Sequence, residues 1–290
     1  MRFVTCEMDG TTFVGVMPPE GDELVPVSRL GFAADEMQAF IRELTPEKLA
    51  ALPEDLKGKK SLRLSEVRLL SPIVRPEHDV VCLGLNYAEH AAEAEKDGKY
   101  GRQRGETVYF AKRVDEAVAP GGAINAHADI CDKLDYEVEL AAVLSRDAKN
   151  VSADEAEQYI LGYTILNDVS ARNIQTKHGQ WYFGKSLDGF TPIGPWIVTA
   201  DELPGTPDLG IRSFVNGEAR QSSRTGNMIF DVPYIIEELS RGMTLQAGTI
   251  ISTGTPSGVA MGMEKDGFLR HGDTVRCEID GIGALENTVD

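Results

Sequence analysis

A ten-residue run at positions 135–144, DYEVELAAVL, restricts the fold of this chain more than any other stretch. Apolar and acidic side chains alternate at its start, which is the period-two pattern of a β-strand. One face of that strand carries Tyr136, Val138 and Leu140, and the other face carries Asp135, Glu137 and Glu139. Neighbouring carboxylates repel one another, so they lie either on a solvated edge strand or around a divalent cation. The run by itself favours the solvated edge.

The overall charge argues against a nucleic-acid partner. The 290 residues include 46 Asp and Glu against 29 Lys and Arg, so the formal net charge at pH 7 is −17. A surface of this sign repels phosphate backbones. An anionic substrate would therefore need a bound metal or a few well-placed Lys and Arg side chains.

The sequence also predicts a cytoplasmic protein without a membrane partner. No apolar run reaches the length of a membrane span, and the N-terminus lacks the apolar segment of a signal peptide. The cysteines are scattered, with no C-x-x-C pair and no nearby His at zinc spacing. A reducing compartment suits such a set of cysteines.

Many short strands joined by tight turns indicate an α+β fold that is mainly β. Hairpin turns are predicted at Asp9-Gly10, Asn216-Gly217 and Asp280-Gly281. The strands do not alternate regularly with helices, which argues against a doubly wound sheet. Helix N-caps are predicted at Thr45, Asn86, Ser152 and Asp231. We place a domain boundary near residue 70, with a small α+β domain over residues 1–70 and a larger domain over residues 71–290.

Asp168 is a candidate third carboxylate for a cation site. It follows a strand predicted at Gly162–Leu166, which comes after the acidic run and one helix. If the two strands pair, Asp168 converges with Glu137 and Glu139. Three carboxylates with water suit the octahedral preference of Mg²⁺ or Mn²⁺. The alternative is that Asp168 caps a turn, a common use of Asp after a strand.

His90 and Glu93 form a candidate catalytic pair. On a predicted helix they lie three residues apart and so share a face. A carboxylate that binds one imidazole nitrogen leaves the other free to take a proton from water. The alternative is a chance pair on a solvated helix face, which an isolated H-x-x-E favours.

Two loops offer groups that suit an anionic substrate. Lys185 lies in a Gly-flanked loop, where its charge suits a carboxylate or a developing enolate. Thr255 lies in a Gly-Thr-Pro-Ser-Gly loop whose backbone N–H groups suit a carboxylate. Alone, the first would be a surface lysine and the second a plain turn. Gln221 and Arg224 are weaker candidates for the far end of a substrate.

The order of these features along the chain resembles the fumarylacetoacetate hydrolase family, in its small bacterial acylpyruvate-hydrolase branch. The resemblance extends from about Pro72 to the C-terminus. The matching runs are Gly84–His90, Asp135–Leu140, Gly162–Arg172, Gln180-Trp181 with Gly184–Asp188, Val215–Gln221 with Asn227–Phe230, and Thr253–Val259.

The resemblance implies roles for the matching positions. Glu137, Glu139 and Asp168 correspond to ligands of Mg²⁺ or Mn²⁺, and His90 with Glu93 to a pair that activates water on a lid segment. Lys185 corresponds to a lysine near the bound oxo acid. Candidate substrate-binding residues are Thr255, Gln221, Arg224 and Tyr87. The family fold is a mixed β-roll-like barrel, usually in a homodimer.

The activity that this resemblance implies is hydrolysis of a C–C bond in a 2,4-dioxo acid of the acylpyruvate type. Pyruvate and a carboxylic acid would be released, with the pyruvate enolate stabilised by the metal and Lys185. The same residues suit decarboxylation of a 2-oxo dicarboxylate such as oxaloacetate, or isomerisation of an unsaturated 2-oxo diacid. A protein of another class, which binds a metal or small molecule without catalysis, is a further alternative.

Two departures from the family pattern bear on the substrate. Asn173 stands where the family often has an acidic residue. The loop Lys96–Gly105 is unusually basic for so acidic a chain. We expect this loop, on the lid side, to help select the substrate.

Overall fold

The structure is a computed structural model, which describes residues 1–96, 106–203, 207–263 and 267–290. The basic loop predicted at 96–105 lies, from residue 97 onward, outside the described residues.

Short strands dominate the described residues, and helices are few. The strands are β1 (Arg2–Met8), β2 (Thr11–Met17), β3 (Glu23–Pro26), β4 (Leu62–Arg63), β5 (Arg68–Leu69), β6 (Val80–Gly84), β7 (Val108–Lys112), β8 (Ala123–Ile124), β9 (Leu134–Asp135), β10 (Val138–Leu144), β11 (Ile160–Asn167), β12 (Ser170–Ala171), β13 (Ile193–Thr199), β14 (Gly210–Val215), β15 (Glu218–Arg224), β16 (Ile250–Ser252), β17 (Thr274–Ile279) and β18 (Gly283–Val289). The α-helices are α1 (Met37–Glu43), α2 (Pro46–Asp55), α3 (Ala88–Lys96), α4 (Ala153–Ala156), α5 (Arg172–Lys177), α6 (Tyr182–Lys185) and α7 (Val232–Gly242).

A large mixed sheet organises the fold. Its strands follow the order β4-β3-β2-β1-β13-β11-β10-β16-β6-β7, and β5 also pairs with β1. Strand β10 lies between β11 and β16, so the acidic run is at the centre of the sheet. The interpretation of this run as a solvated edge strand is therefore wrong. All seven residues of β10 are buried, because both faces of the sheet are covered.

The alternation predicted for the acidic run is confirmed by the packing of the two faces. Val138 and Leu140 face a core shared with α7 and with a smaller sheet of order β15-β14-β17-β18-β8. Ala141 and Val143 face a second core, which includes residues of α1 and of the N-terminal strands. Glu139 is two residues from Ala141, so it lies on the same face of the strand as Ala141 and Val143. The mainly β α+β class with mixed sheets is thus confirmed.

The segment before residue 70 is continuous with the rest of the described structure. Strand β1 pairs with β13, with Phe3 opposite Ile197, so one sheet runs across the predicted boundary. Phe3 and Phe40 lie in the same core cluster as Cys82 and Ile197. A domain boundary near residue 70 thus stays a prediction from sequence, and the sheet does not break there.

Two of the predicted helix caps are confirmed, Ser152 is confirmed in position without the expected bond to the backbone, and Asn86 makes loop contacts instead. The side chains of Thr45 and Asp231 accept hydrogen bonds from the backbone N–H groups of Lys48 and Tyr234. The Ser152 side chain makes no such bond and instead donates to Glu155 Oε2. Asn86 Oδ1 accepts the Phe230 N–H at 2.8 Å, and its amide donates to the carbonyls of Phe230 and Thr253, because folding brings these distant loops against it.

In the part of the chain that the structure describes, we find no helix with the length and apolar character of a membrane span.

Candidate functional site

Three carboxylates meet where β10 begins and β11 ends. The two strands are antiparallel, with Val138 opposite Asn167, so Glu137 and Asp168 lie just outside the pairing on the same side. The Asp168 N–H donates to the Glu137 carbonyl at 2.9 Å. Each of Glu137, Glu139 and Asp168 offers a carboxylate oxygen, and these oxygens lie within 4.8 Å of one another. All three residues are buried.

Two buried lysines and an arginine surround this carboxylate triad. Lys185 Nζ donates to Glu137 Oε2 at 2.8 Å and to Asp168 Oδ2 at 2.7 Å. Lys112 Nζ donates to Asp168 Oδ1 at 2.6 Å, and Arg172 lies 2.5 Å from Glu137 Oε1. Such pairing offsets the large cost of burying the charges.

Glu139 differs from the other two carboxylates in its partners. Neutral groups donate to its Oε2 atom, namely Ser252 Oγ at 2.5 Å and the Gly254 N–H at 2.9 Å. Burial, followed by the charges of Asp168 and Glu137, raises the pKa of Glu139 well above its usual range.

The pKa of Glu137 moves the other way. Burial by itself would raise it, but Lys185 and Arg172 outweigh burial and lower it. Burial would likewise lower the pKa of Lys185, and the charges of Asp168 and Glu137 raise it instead. Glu137 and Lys185 are therefore a charged pair inside the protein.

The donor set fits a hard divalent cation. Carboxylate oxygens are the ligands that Mg²⁺ and Mn²⁺ prefer, and three of them converge here. When ionised, Glu139 adds a negative charge that no cationic side chain among the contacts above balances. A divalent ion held by Glu137, Glu139 and Asp168 would offset that charge.

Asp135 is neither a fourth ligand in this group nor solvent-facing. Asp135 was expected either behind the metal ligands or facing solvent, and its fully buried side chain excludes the second position. It pairs with Arg172 Nε at 2.8 Å and accepts N–H bonds from Ala260 at 2.8 Å and Met261 at 3.0 Å. Asp135 thus holds Arg172 beside Glu137 and fixes the 3₁₀ turn Ala260–Gly262.

His90 and Glu93 meet as their helical spacing predicts. His90 Nδ1 lies 3.2 Å from Glu93 Oε2, and the His90 side chain is buried. Glu93 Oε2 also accepts the Gly258 N–H at 3.2 Å, so helix α3 is docked on the loop that carries Thr255. The solvated-face alternative does not describe His90.

One cavity brings most of the predicted residues together. It is lined by His90, Glu137, Glu139, Lys185 and Thr255. The Thr255 hydroxyl donates to the Val138 carbonyl at 2.9 Å, which fixes the loop against β10. This shared cavity argues against the three alternatives given above. These were a chance pair of His90 and Glu93, a plain turn at Thr255, and a surface position for Lys185.

Three predicted substrate-binding residues are not among those that line this cavity. The Gln221 amide donates to Thr255 Oγ1 and accepts from the Val138 N–H, so it supports the Thr255 loop from behind. Arg224 is exposed and pairs with Asp208 at 2.8 Å. Tyr87 is buried, and its hydroxyl has no hydrogen-bond partner within the described residues.

Arg172, Lys112, Gln175 and Trp181 are site residues to which the sequence analysis gave no role. Arg172, Gln175 and Trp181 line the cavity, and Arg172 donates to Gln175 Oε1 at 3.0 Å. Lys112 ends an ordinary-looking strand, and nothing in its neighbourhood signals a buried lysine. Arg172 and Trp181 do lie in runs that match the family, and this match was the sequence feature that could have identified them as site residues.

A larger cavity elsewhere lacks comparable chemistry. It lies between the N-terminal strands and residues 116–119. Four of its charged residues form two ion pairs, Arg68 with Glu7 and Arg75 with Glu116, and all four are at least partly exposed. We therefore take the smaller, buried cavity as the functional one.

Comparison with known proteins gives one family for most of the chain. Residues 79–290 match the family model described as fumarylacetoacetate (FAA) hydrolase C-terminal. The chain is 36% identical to oxaloacetate tautomerase YisK of Bacillus subtilis over 305 residues, which covers 100% of both proteins.

Solved structures agree over the full length. A fumarylacetoacetate hydrolase from Exiguobacterium antarcticum is 39% identical with a TM-score of 0.87, covering 100% of this chain and 99% of that one. A 5-carboxymethyl-2-hydroxymuconate delta-isomerase from Mycobacterium smegmatis is 35% identical with a TM-score of 0.76, covering 100% and 98%.

Proposed function

Because this chain belongs to the fumarylacetoacetate hydrolase family, whose members act on oxo acids, we propose that it is a metal-dependent hydrolase of a 2,4-dioxo acid. The reaction would cleave a C–C bond to give pyruvate and a carboxylic acid. The observation that carries the proposal is that buried His90, paired with Glu93, lines one cavity together with Glu137 and Glu139 of the carboxylate triad. Hydrolysis needs a group that takes a proton from water, and decarboxylation does not.

Enzymes of this family generally use a divalent metal, and we propose Mg²⁺ or Mn²⁺ here, held by Glu137, Glu139 and Asp168. When bound, such an ion supplies Lewis-acid chemistry, which polarises a substrate oxygen and offsets negative charge.

The proton transfers are assigned to side chains. Glu93 accepts a hydrogen bond from Nδ1 of His90, which keeps the proton on that nitrogen. Nε2 then takes a proton from water, and the hydroxide attacks the distal carbonyl carbon of the substrate. The adduct collapses with cleavage of the C–C bond, releasing a carboxylic acid and the enolate of pyruvate. The proton taken up by Nε2 then passes to the enolate carbon, which gives pyruvate and restores neutral His90.

Two cationic side chains suit the charge that develops in this reaction. Lys185 and Arg172 line the cavity and are held in place by Glu137. Both attract the anionic oxo acid, and Lys185 stabilises negative charge on the leaving enolate. The strongly acidic chain thus places two cationic side chains where a small anionic 2-oxo acid would bind.

A substrate panel tests the proposal. Acylpyruvates, fumarylpyruvate, oxaloacetate and 2,4-dioxo sugar acids are assayed for pyruvate release with Mg²⁺ or Mn²⁺, in water enriched in heavy oxygen. Hydrolysis predicts pyruvate from a dioxo acid and heavy oxygen in the acid released with it. Pyruvate and carbon dioxide from oxaloacetate alone would identify a decarboxylase. Turnover of none of these compounds would contradict the proposal.

Tautomerisation of an oxo diacid is a second candidate. It is supported by the full-length similarity to oxaloacetate tautomerase YisK of Bacillus subtilis. His90 and Lys185 are proton-carrying groups in one cavity, and keto–enol exchange needs only proton transfer. Loss of the enol absorbance of oxaloacetate without release of pyruvate would select this activity over hydrolysis.

We also propose that the enzyme is a homodimer. Among the described residues, the exposed side chains of Ile229 and Tyr234 line one surface hollow with Met228 and Phe230, and such apolar clusters favour contact surfaces. Sedimentation equilibrium would give twice the chain mass of 31.6 kDa, and the chain mass itself would contradict the proposal.

A further inference from the structure

The indole of Trp181 lies against the backbone of Gly84 at the edge of the functional cavity. Both residues line that cavity. A Cβ atom on residue 84 would come within 2.6 Å of the Trp181 Cη2 atom and closer still to Cζ3. Gly84 has no positive φ, so what it provides is space for the ring. The position of the indole therefore depends on the absence of a side chain at residue 84.

Phe110 holds the same ring from another side. The Phe110 and Trp181 rings are 5.2 Å apart between centroids at 70°, an edge-to-face contact. Phe110 in turn lies beneath Lys185, with Nζ 5.2 Å from the ring centroid. With Gly84 and Phe110 against it, the indole has little room to move.

Helix α6 couples this ring to the charged groups of the cavity. The Lys185 N–H donates to the Trp181 carbonyl at 3.1 Å, so the two residues lie one turn apart. Lys185 is fixed by Glu137 and Asp168. One short turn thus sets the separation between Trp181 and Lys185 along the wall of the cavity.

The lining of the cavity has two chemical characters. Glu137, Glu139, Arg172 and Lys185 are charged, which suits the oxo-acid end of a substrate. Leu83, Leu85, Phe110, Trp181 and Met261 are apolar or aromatic, which suits an uncharged substituent. Trp181 is the bulkiest of the apolar set.

We propose that Trp181, seated on Gly84, limits the length of the substrate's acyl substituent, so that the enzyme takes 2-oxo acids with a short, uncharged acyl group. This inference rests on the proposed function for the oxo-acid end and adds the substrate class. Trp181 acts as a wall that excludes longer chains, and it takes no part in the proton transfers.

Binding of a series of N-alkyl oxamates tests this inference. Oxamates carry a carboxylate beside a carbonyl, as 2-oxo acids do, and they have no cleavable acylpyruvate bond. Dissociation constants for oxamate, N-propyl oxamate and N-hexyl oxamate are measured by calorimetry with Mn²⁺ present. The wild type should bind less tightly as the chain lengthens. The Trp181→Ala variant should bind the hexyl compound about 10- to 100-fold more tightly than the wild type does, with a smaller change for oxamate.

Two further variants and a control complete the experiment. Trp181→Phe should relax the length limit partly, and it carries the test if Trp181→Ala does not fold. Gly84→Ala should change the length profile as well, because the new methyl group would overlap the indole in its present position. Phe183→Ala is the matched control, since Phe183 is 49% exposed on the same helix and is not among the cavity residues. It should keep the wild-type length profile.

Several outcomes would overturn the inference. These are an equal loss of affinity for all oxamates in Trp181→Ala, tighter binding of longer chains by the wild type, or no binding of oxamate by the wild type. The result is separable from the proposed function, because oxamates are not cleaved. A relaxed profile without pyruvate release from any dioxo acid would refute the hydrolase and leave the role of Trp181 standing.

Discussion

The carboxyl group of Glu93 lies so close to the backbone of Gly262 that any Cβ atom on residue 262 would overlap it. The same carboxylate accepts the Gly258 N–H and contacts His90 Nδ1, both at 3.2 Å. The orientation of His90 therefore depends on a loop more than 160 positions away along the chain. This relationship links the proposed water activation to residues that carry no chemistry themselves.

Replacing His90 by Asn should lower turnover of the best substrate by about 100- to 10,000-fold, because the proton acceptor for water is lost. Mn²⁺ binding should persist, since the proposed ligands are the three carboxylates of the triad and not His90. Steady-state kinetics and calorimetry measure the two effects separately. His271→Asn, at an exposed histidine, is the control. Unchanged turnover in His90→Asn would refute the role assigned to this residue.

Replacing Gly262 by Ala should lower kcat by about 100-fold, because displacement of Glu93 misplaces the His90 imidazole. The matched control is Gly242→Ala, where a Cβ atom would meet nothing within 4 Å. Melting temperatures establish that both variants fold. Equal kcat in the two variants would show that the Glu93–Gly262 contact does not matter for catalysis.

Mg²⁺ or Mn²⁺ should stabilise the wild type against unfolding, by about 2.7 kcal/mol at one hundred times the dissociation constant. Glu139→Gln should lose most of this gain, since one carboxylate of the triad becomes neutral. Without metal the variant should be at least as stable, because Glu139 is buried near two other carboxylates. Glu218→Gln, at a side chain that is 71% exposed, should keep the full gain. Retention of that gain in Glu139→Gln, measured by thermal unfolding, would remove Glu139 from the ligand set.

The carboxylate triad is the part of the site that the sequence predicted well. Period-two alternation placed Glu137 and Glu139 on one face, and antiparallel pairing of two consecutive strands brought Asp168 beside them. These relations are local or nearly so, and strand periodicity expresses them directly. The spacing of His90 and Glu93 was predictable for the same reason, since it belongs to one helix.

The surroundings of the triad were not predictable in this way. Asp135 is fixed by Arg172 and by the N–H groups of Ala260 and Met261, contacts that only the tertiary fold creates. Gln221 and Arg224 lie in one strand, yet the first is buried behind Thr255 and the second is exposed. Local sequence does not indicate which side chains near the end of an irregular strand will face a cavity.

The buried pair of Asp135 and Arg172 should contribute strongly to stability as well as to the site. Asp135→Asn leaves a buried guanidinium partly uncompensated and replaces an acceptor of two N–H groups, which should cost about 3–5 kcal/mol in the free energy of unfolding. Asp208→Asn breaks the comparable pair with Arg224, whose partners are 59% and 55% exposed, and should change the stability little. Urea unfolding of both variants measures the contrast. If Asp135→Asn cost no more than Asp208→Asn, Asp135 would not be what holds Arg172 and the Ala260–Gly262 turn in place.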